Sequence, residues 1–254
     1  MMRSLLIPLC ATLMLGGCVT EGGQEKPKPS AREASMANLN LGVAYLRRGD
    51  LEAAVGKLQK AVDIDDRNTQ AHVTLALAYE QIGQAEEAGR HYQRAIRLSD
   101  NDAVIDNHYG AYLCRNGRLD EAQTYLLRAA RNPRYRTPEA AYTNAGICAV
   151  RGTQWDKAEE YFRSALQANP RYALALWQMA SLSYQRDRDL QARAFIERLA
   201  AIGELPSNVL WLGHRVEQRL GNVKAADRYA QQLRTKFPDS SETAQLLEAQ
   251  RDGG

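Results

Sequence analysis

A period of about 34 residues runs along this 254-residue chain, and it restricts the possible folds more than any other feature. In each copy a Gly or Ala is followed twelve positions later by an Ala. Four and seven positions further on come an apolar side chain and usually another Ala. The first copy carries Leu41, Gly42, Tyr45, Gly49, Ala54, Leu58 and Ala61. The second carries Leu75, Ala76, Tyr79, Gly83, Ala88, Tyr92 and Ala95, and the third Tyr109, Gly110, Leu113, Gly117, Ala122, Leu126 and Ala129. After a two-residue insertion near "NPRYRTPEA" the fourth has Ala145, Gly146, Ala158, Phe162 and Ala165, with Pro170 placed to end it. The fifth (Met179, Ala180, Ala192, Ile196, Leu199) and sixth (Leu212, Gly213, Ala225, Tyr229) are looser copies.

Within each copy the apolar residues recur at intervals of three and four, which is helical periodicity, and a Gly-centred break such as "RRGDLEA" or "RNGRLDEA" divides them. Each copy is therefore expected to be a helical hairpin. The Gly or Ala of the first helix and the Ala of the second mark where the two backbones cross closely, since larger side chains would force them apart. One hairpin cannot bury its apolar face alone, so the copies must stack. The pattern resembles the tetratricopeptide repeat over roughly residues 35–239. That resemblance implies an all-α, right-handed superhelix of about six repeats with a concave inner surface. The segment "SSETAQLLEAQRD" reads as a solvated capping helix, so 35–254 is expected to hold about thirteen helices.

Residues 1–17 are of another kind. Arg3 precedes the apolar run "LLIPLCATLML", which contains a proline and is too short for the roughly 20 residues that span a bilayer. It reads as a signal peptide. Leu15-Gly16-Gly17-Cys18 resembles the bacterial lipoprotein processing site, which implies that Cys18 is lipidated and the peptide before it removed. Val19 follows where lipoproteins retained at the inner membrane often have Asp, so the resemblance favours the periplasmic face of the outer membrane of a Gram-negative bacterium. Residues 18–34, rich in Gly, Pro and charge, are expected to form a tether. About sixteen such residues span roughly 20 to 25 Å.

Lys and Arg number 33 against 30 Asp and Glu, and such balance argues against a nucleic-acid partner. The four histidines, His72, His91, His108 and His214, fall in no HExxH or Cys/His cluster of metal spacing, and no phosphate-cradling Gly loop occurs. Glu86-Glu87 and Glu159-Glu160 start second helices, where negative charge complements the helix dipole. Catalytic residues, cofactor, metal and small-molecule substrate are all expected to be absent. Cys114 and Cys148 fall near equivalent turns of the first helices in adjacent repeats. They can pair as a disulfide in an oxidising compartment or pack as small buried hydrophobes.

Function is expected in the concave groove. In the repeat family this groove is lined by positions 2, 5, 9, 12 and 13 of each first helix. Counting from Ser35 these are Met36, Leu39, Val43, Leu46 and Arg47; counting from Thr69 they are Gln70, Val73, Leu77, Glu80 and Gln81. Repeats that clamp a terminal carboxylate carry Lys and Asn at positions 5 and 9, where this chain has Leu39 and Val43, so that ligand class is disfavoured. The apolar set Met36, Leu39, Val43, Leu46, Val73 and Leu77 suits an amphipathic helix or extended apolar segment. Asn107, Arg115, Thr143 and Arg151 make the next two repeats more polar.

The lipoprotein signal, tether, six repeats, "DNHYGAYLC" and "TNAGICAV" together resemble the PilF/PilW family of type IV pilus biogenesis lipoproteins, over nearly the whole chain. Ser183 and Val216, where an aromatic is usual, are departures. The resemblance implies a pilotin, which binds the secretin of the pilus machine, promotes its outer-membrane localisation and multimerisation, and so supports pilus assembly and twitching motility. The alternative from another class is an adaptor for peptidoglycan enzymes or other envelope complexes.

Overall fold

The computed structural model describes residues 30–252, in which thirteen α-helices follow one another. Unit 1 is α1 (Ala31–Arg48) with α2 (Leu51–Ile64), and unit 2 is α3 (Thr69–Gln81) with α4 (Ala85–Leu98). Unit 3 is α5 (Ala103–Arg115) with α6 (Leu119–Ala130), and unit 4 is α7 (Pro138–Arg151) with α8 (Trp155–Ala168). Unit 5 is α9 (Ala173–Gln185) with α10 (Asp189–Ala200), unit 6 is α11 (Ser207–Arg219) with α12 (Val223–Lys236), and α13 (Ser241–Asp252) closes the array. The units stack as a right-handed superhelix. The expected signal peptide, Cys18 and the tether up to Pro29 lie outside the described residues. The helical array begins at Ala31, ahead of the boundary expected at 35. Ser30 accepts from the Glu33 backbone N–H while the Glu33 carboxylate accepts from the Ser30 N–H, a reciprocal cap that nucleates α1 early.

Close crossing explains the small residues. A Cβ added to Gly42 would stand 2.5 Å from Leu58 Cγ, on Gly110 2.7 Å from Leu126 Cγ, and on Gly146 2.3 Å from Phe162 Cε1. In α1, α5 and α7 a large side chain of the second helix thus occupies the space a Cβ would fill. The Ala at position 20, Ala54, Ala88, Ala122, Ala158 and Ala192, is fully buried in all of units 1 to 5. Gly49, Gly83 and Gly117 turn the chain between helices at φ of 77°, 76° and 78°, the left-handed region glycine enters without steric cost.

The sixth unit differs from its expected register. Counted by helix register, Gly213 and Ala225 sit one residue early, yet the expected contact is present: a Cβ on Gly213 would stand 2.9 Å from the Tyr229 ring. Counted from Ser207, 34 residues after Ala173, the first helix has buried His214 at position 8, and the second buries Ala226, Ala230 and Leu233 at the repeating positions. Beside that contact the order is reversed at positions 8 and 24, where buried His214 is the large residue and buried Ala230 the small one. His214 Nδ1 lies 2.9 Å from the Ala226 carbonyl oxygen, which satisfies the buried ring. In this register Val216 is a position-10 residue, and Glu217 stands where the aromatic was expected. Its carboxylate is buried and ion-paired with Arg193 of α10.

First helices of successive units touch one another, α1 with α3, α5 with α7, α7 with α9 and α9 with α11, while successive second helices make no comparable contact among the described residues. The first helices therefore line the inner, concave side. Cys114 and Cys148 join α5 to α7 through a disulfide, with Cα atoms 5.6 Å apart. The terminal helix α13 lies on α11 and α12 and buries Thr243 and Leu246.

Candidate functional site

Helical geometry separates the groove positions by depth. Position 5 points back between neighbouring helices, and there Leu39 and Val73 are each only 3% exposed. Leu39 packs with Leu58, Ala61, Val62 and Leu75, while Val73 shares a cluster with Tyr92, Ile105 and Tyr109. Both residues, expected in the groove surface, are core instead. A charge at Leu39 would therefore damage unit packing, contrary to the expectation that this side chain is free to contact a partner.

The other expected groove residues lie nearer the surface. Met36 is 42% exposed, and Val43, Leu46 and Leu77 are half-buried. Position 9 forms a continuous half-buried row along the concave side, Val43, Leu77, Ala111, Ile147 and Ser181. Position 2 adds exposed apolar side chains in alternate units, Met36, Val104 and Leu174. Val104 and Leu174 were missed, although the same position rule applied to units 3 and 5 finds them. Near the far end, Leu174 and Trp177 with Ile202, Leu205 and Val209 line an apolar concavity of about 340 Å³.

The polar groove residues divide into spent and available ones. Arg115 grips Glu80 of the preceding unit with Nε–H and Nη2–H donating over 2.8 Å, and Tyr92 donates its hydroxyl to Glu80 Oε1, also over 2.8 Å. Burial and the facing Glu80 carboxylate push the Tyr92 phenol far above its ordinary range, so it stays a neutral donor. Asn144 donates to Asn107 Oδ1 over 2.9 Å, and Thr143 donates to the Glu139 carbonyl over 2.7 Å. Arg115 and Asn144 tie neighbouring units together, Thr143 is spent on its own helix, and none of these groups is free for a ligand. Arg47 and Arg151 remain exposed, with no ion-pair partner among the described residues. The concave side is thus an apolar floor with a basic margin, fit to hold an apolar or amphipathic segment carrying some negative charge.

Two histidines form a closed pair away from this floor. His72 Nδ1 and His91 Nδ1 stand 3.0 Å apart, His72 Nε2 reaches the Asp66 carbonyl oxygen at 3.0 Å, and Tyr79 stacks on the His91 ring. Burial, with the nearby His72 and Arg90, lowers the pKa of His91 to about 4. Among the described residues no group of three or more His, Cys, Asp or Glu could hold a metal ion. None of the described helices is long and apolar enough to cross a membrane.

Comparison with known proteins agrees with this architecture. Residues 42–83, 69–102, 143–208 and 209–240 match models of the tetratricopeptide repeat. The type IV pilus assembly protein PilF of Pseudomonas aeruginosa is 30% identical over 242 residues, which cover 94% of this chain and 96% of that protein. The crystal structure of PilW, described as a widely conserved type IV pilus biogenesis factor, superposes with a TM-score of 0.77 at 29% identity. It covers 84% of this chain and 98% of PilW. The structure of Pseudomonas aeruginosa PilF gives a TM-score of 0.74 at 28% identity, covering 87% of this chain and all of that one. Relatives matched from end to end by one uninterrupted set of stacked hairpins leave one assignment: the chain belongs to the PilF/PilW family of tetratricopeptide-repeat proteins, whose members named here are type IV pilus assembly and biogenesis factors.

Proposed function

We propose that this protein is a pilotin: an outer-membrane lipoprotein that binds the secretin of the type IV pilus machine and promotes its localisation and multimerisation. The observation that carries the reading is the alignment with the pilus assembly protein PilF, which covers 94% of this chain and 96% of that protein. The concave floor supports it as the contact surface. Met36, Val43, Leu46 and Leu77 offer apolar area in units 1 and 2, and Arg47 offers charge at its edge.

The mechanism is physical rather than chemical. Cys18 carries the lipid, and the segment from Val19 to Pro29 tethers the solenoid on the periplasmic face of the membrane. A secretin subunit held by the groove is then confined near the bilayer at high effective concentration, which favours ring closure without any new contact between subunits. Enzymatic chemistry has no part in this scheme.

Deleting the gene and following heat-resistant secretin multimers in outer-membrane fractions tests the proposal. Loss of multimers, restored by the intact chain and not by Cys18→Ser, is the expected result. Multimers that persist unchanged in the outer membrane of the deletion strain overturn it.

A further inference from the structure

In each interior unit, positions 3, 7 and 10 of the first helix are covered by the second helix of the unit before. Ala71, Leu75 and Ala78 of α3 are fully buried, the three of them clustered with Leu58 and Val62 of α2, and the same positions of α9 are buried with Phe162 and Leu166 of α8. Among the described residues no helix precedes α1. Its corresponding residues Ala37, Leu41 and Ala44 are exposed, Leu41 by 48%.

The charges at this face repeat an internal template. At position 14, Arg186 ends α9 and pairs with Asp156 and Glu159 near the start of α8, at 2.7 and 3.5 Å. At position 13, Arg219 ends α11 and pairs with Asp189 in the first turn of α10, at 3.0 Å. Unit 1 has arginine at both positions, Arg47 and Arg48, and neither has an ion-pair partner among the described residues. The face combines a small–Leu–small ridge with two arginines placed where a covering helix would present its acidic start.

We infer that the outer face of α1 is a docking surface for an amphipathic helix of another protein, one with an acidic first turn and an apolar ridge at three- and four-residue spacing. The helix lies antiparallel on α1 as α8 lies on α9, with its negative N-terminal turn against Arg47 and Arg48. The chain's own N-terminal residues do not match this chemistry. Residues 4–15 hold no acid to pair with the arginines, and residues 20–29 hold Glu21 and Glu25 but no aliphatic side chain. A second copy fits poorly too, since α13 exposes Leu247 as its one large apolar side chain among the described residues and spends Leu246 on its own core. This surface meets the concave floor only at Arg47, and Leu41 and Arg48 on one side and Met36 on the other let the two be tested apart.

A fluorescently labelled, helix-constrained peptide with the sequence of residues 155–168 is the probe, because in the intact chain the place native to α8 is already filled. Its anisotropy is titrated against the purified full-length chain. Saturable binding is expected, weakened at least tenfold by Leu41→Glu and clearly by Arg48→Glu alone, more so by Arg47→Glu with Arg48→Glu, and unchanged by Met36→Glu on the concave side. A peptide carrying Asp156→Arg and Glu159→Arg is expected to bind the arginine double variant and not the parent chain. Unchanged melting temperatures establish that the variants fold, since all the altered side chains are exposed. Absence of saturation up to about 1 mM peptide, or binding indifferent to Leu41→Glu, overturns the inference. Concentration-dependent self-association abolished by Leu41→Glu, with no peptide binding, also overturns it and gives the face to a second copy.

Discussion

Gly146 and Phe162 show how little room each hairpin leaves, because the added Cβ would stand 2.3 Å from the ring edge. Gly146→Val is expected to destabilise the chain by about 3 kcal/mol, the upper part of the overpacking range, read as a lower denaturant midpoint. Depth decides the groove substitutions. Leu39→Glu places an unpaired charge in the core and is expected to lower the melting temperature severely, whereas Met36→Glu should leave it unchanged; equal melting of the two contradicts the depth assignment. His91 offers a pH test. Its folded pKa of about 4 lies below the ordinary 6.5, so the unfolded chain binds more protons between those values. Its contribution to stability is full above pH 6.5 and is lost as pH falls toward 4. The stability of the parent chain should therefore fall more steeply over that interval than that of His91→Gln, and parallel curves contradict the assignment. At this scale the sequence was readable where the residue type had one geometric meaning. Gly42, Gly110, Gly146 and Gly213 each mark a close crossing, but the one-residue offset that buries His214 next to Gly213 was not visible in the pattern.

Elements are joined by a few side chains that reach from one unit to the next. The Cys114–Cys148 bond holds α5 to α7, and Arg115, Glu80 and Tyr92 bind unit 3 to unit 2. The disulfide closes a sequence separation of 34 residues. Its removal in a Cys114→Ala, Cys148→Ala variant is expected to cost about 2–4 kcal/mol. Hydrogen exchange should then rise first in α5 and α7; uniform protection in those helices contradicts the view that this bond fixes the junction. Helix boundaries were largely legible, since breaks such as "RRGDLEA" announce the Gly49 turn. The early start of α1 was not, because the Ser30–Glu33 cap lies within a stretch whose Gly, Pro and charge resemble a tether. Burial at position 5 was also hidden. Leu39 and Val73 satisfy a groove rule taken from position number, but how far such a side chain reaches between units depends on the neighbouring helices.

For the whole molecule, period and stacking settle the architecture, because hairpins of one kind with one buried face have one economical way to assemble. Two unlike surfaces of the described solenoid are proposed for partners. One is the concave floor built from position 9 with Met36 at its edge, and the other is the uncovered face of α1 around Leu41. The first was partly legible, since Met36, Val43, Leu46 and Leu77 lie on it. The second was not, because Leu41 looks like any other core Leu until the absence of a covering helix is seen. The proposed function seats the secretin on the concave side of units 1 and 2. Calorimetric titration of the purified chain with the periplasmic part of the secretin, comparing the parent with the Met36→Glu, Val43→Glu double variant, decides this. Saturable binding by the parent and at least a tenfold loss in the double variant are expected, with its helical circular dichroism preserved. Equal affinity in the two folded proteins would contradict it.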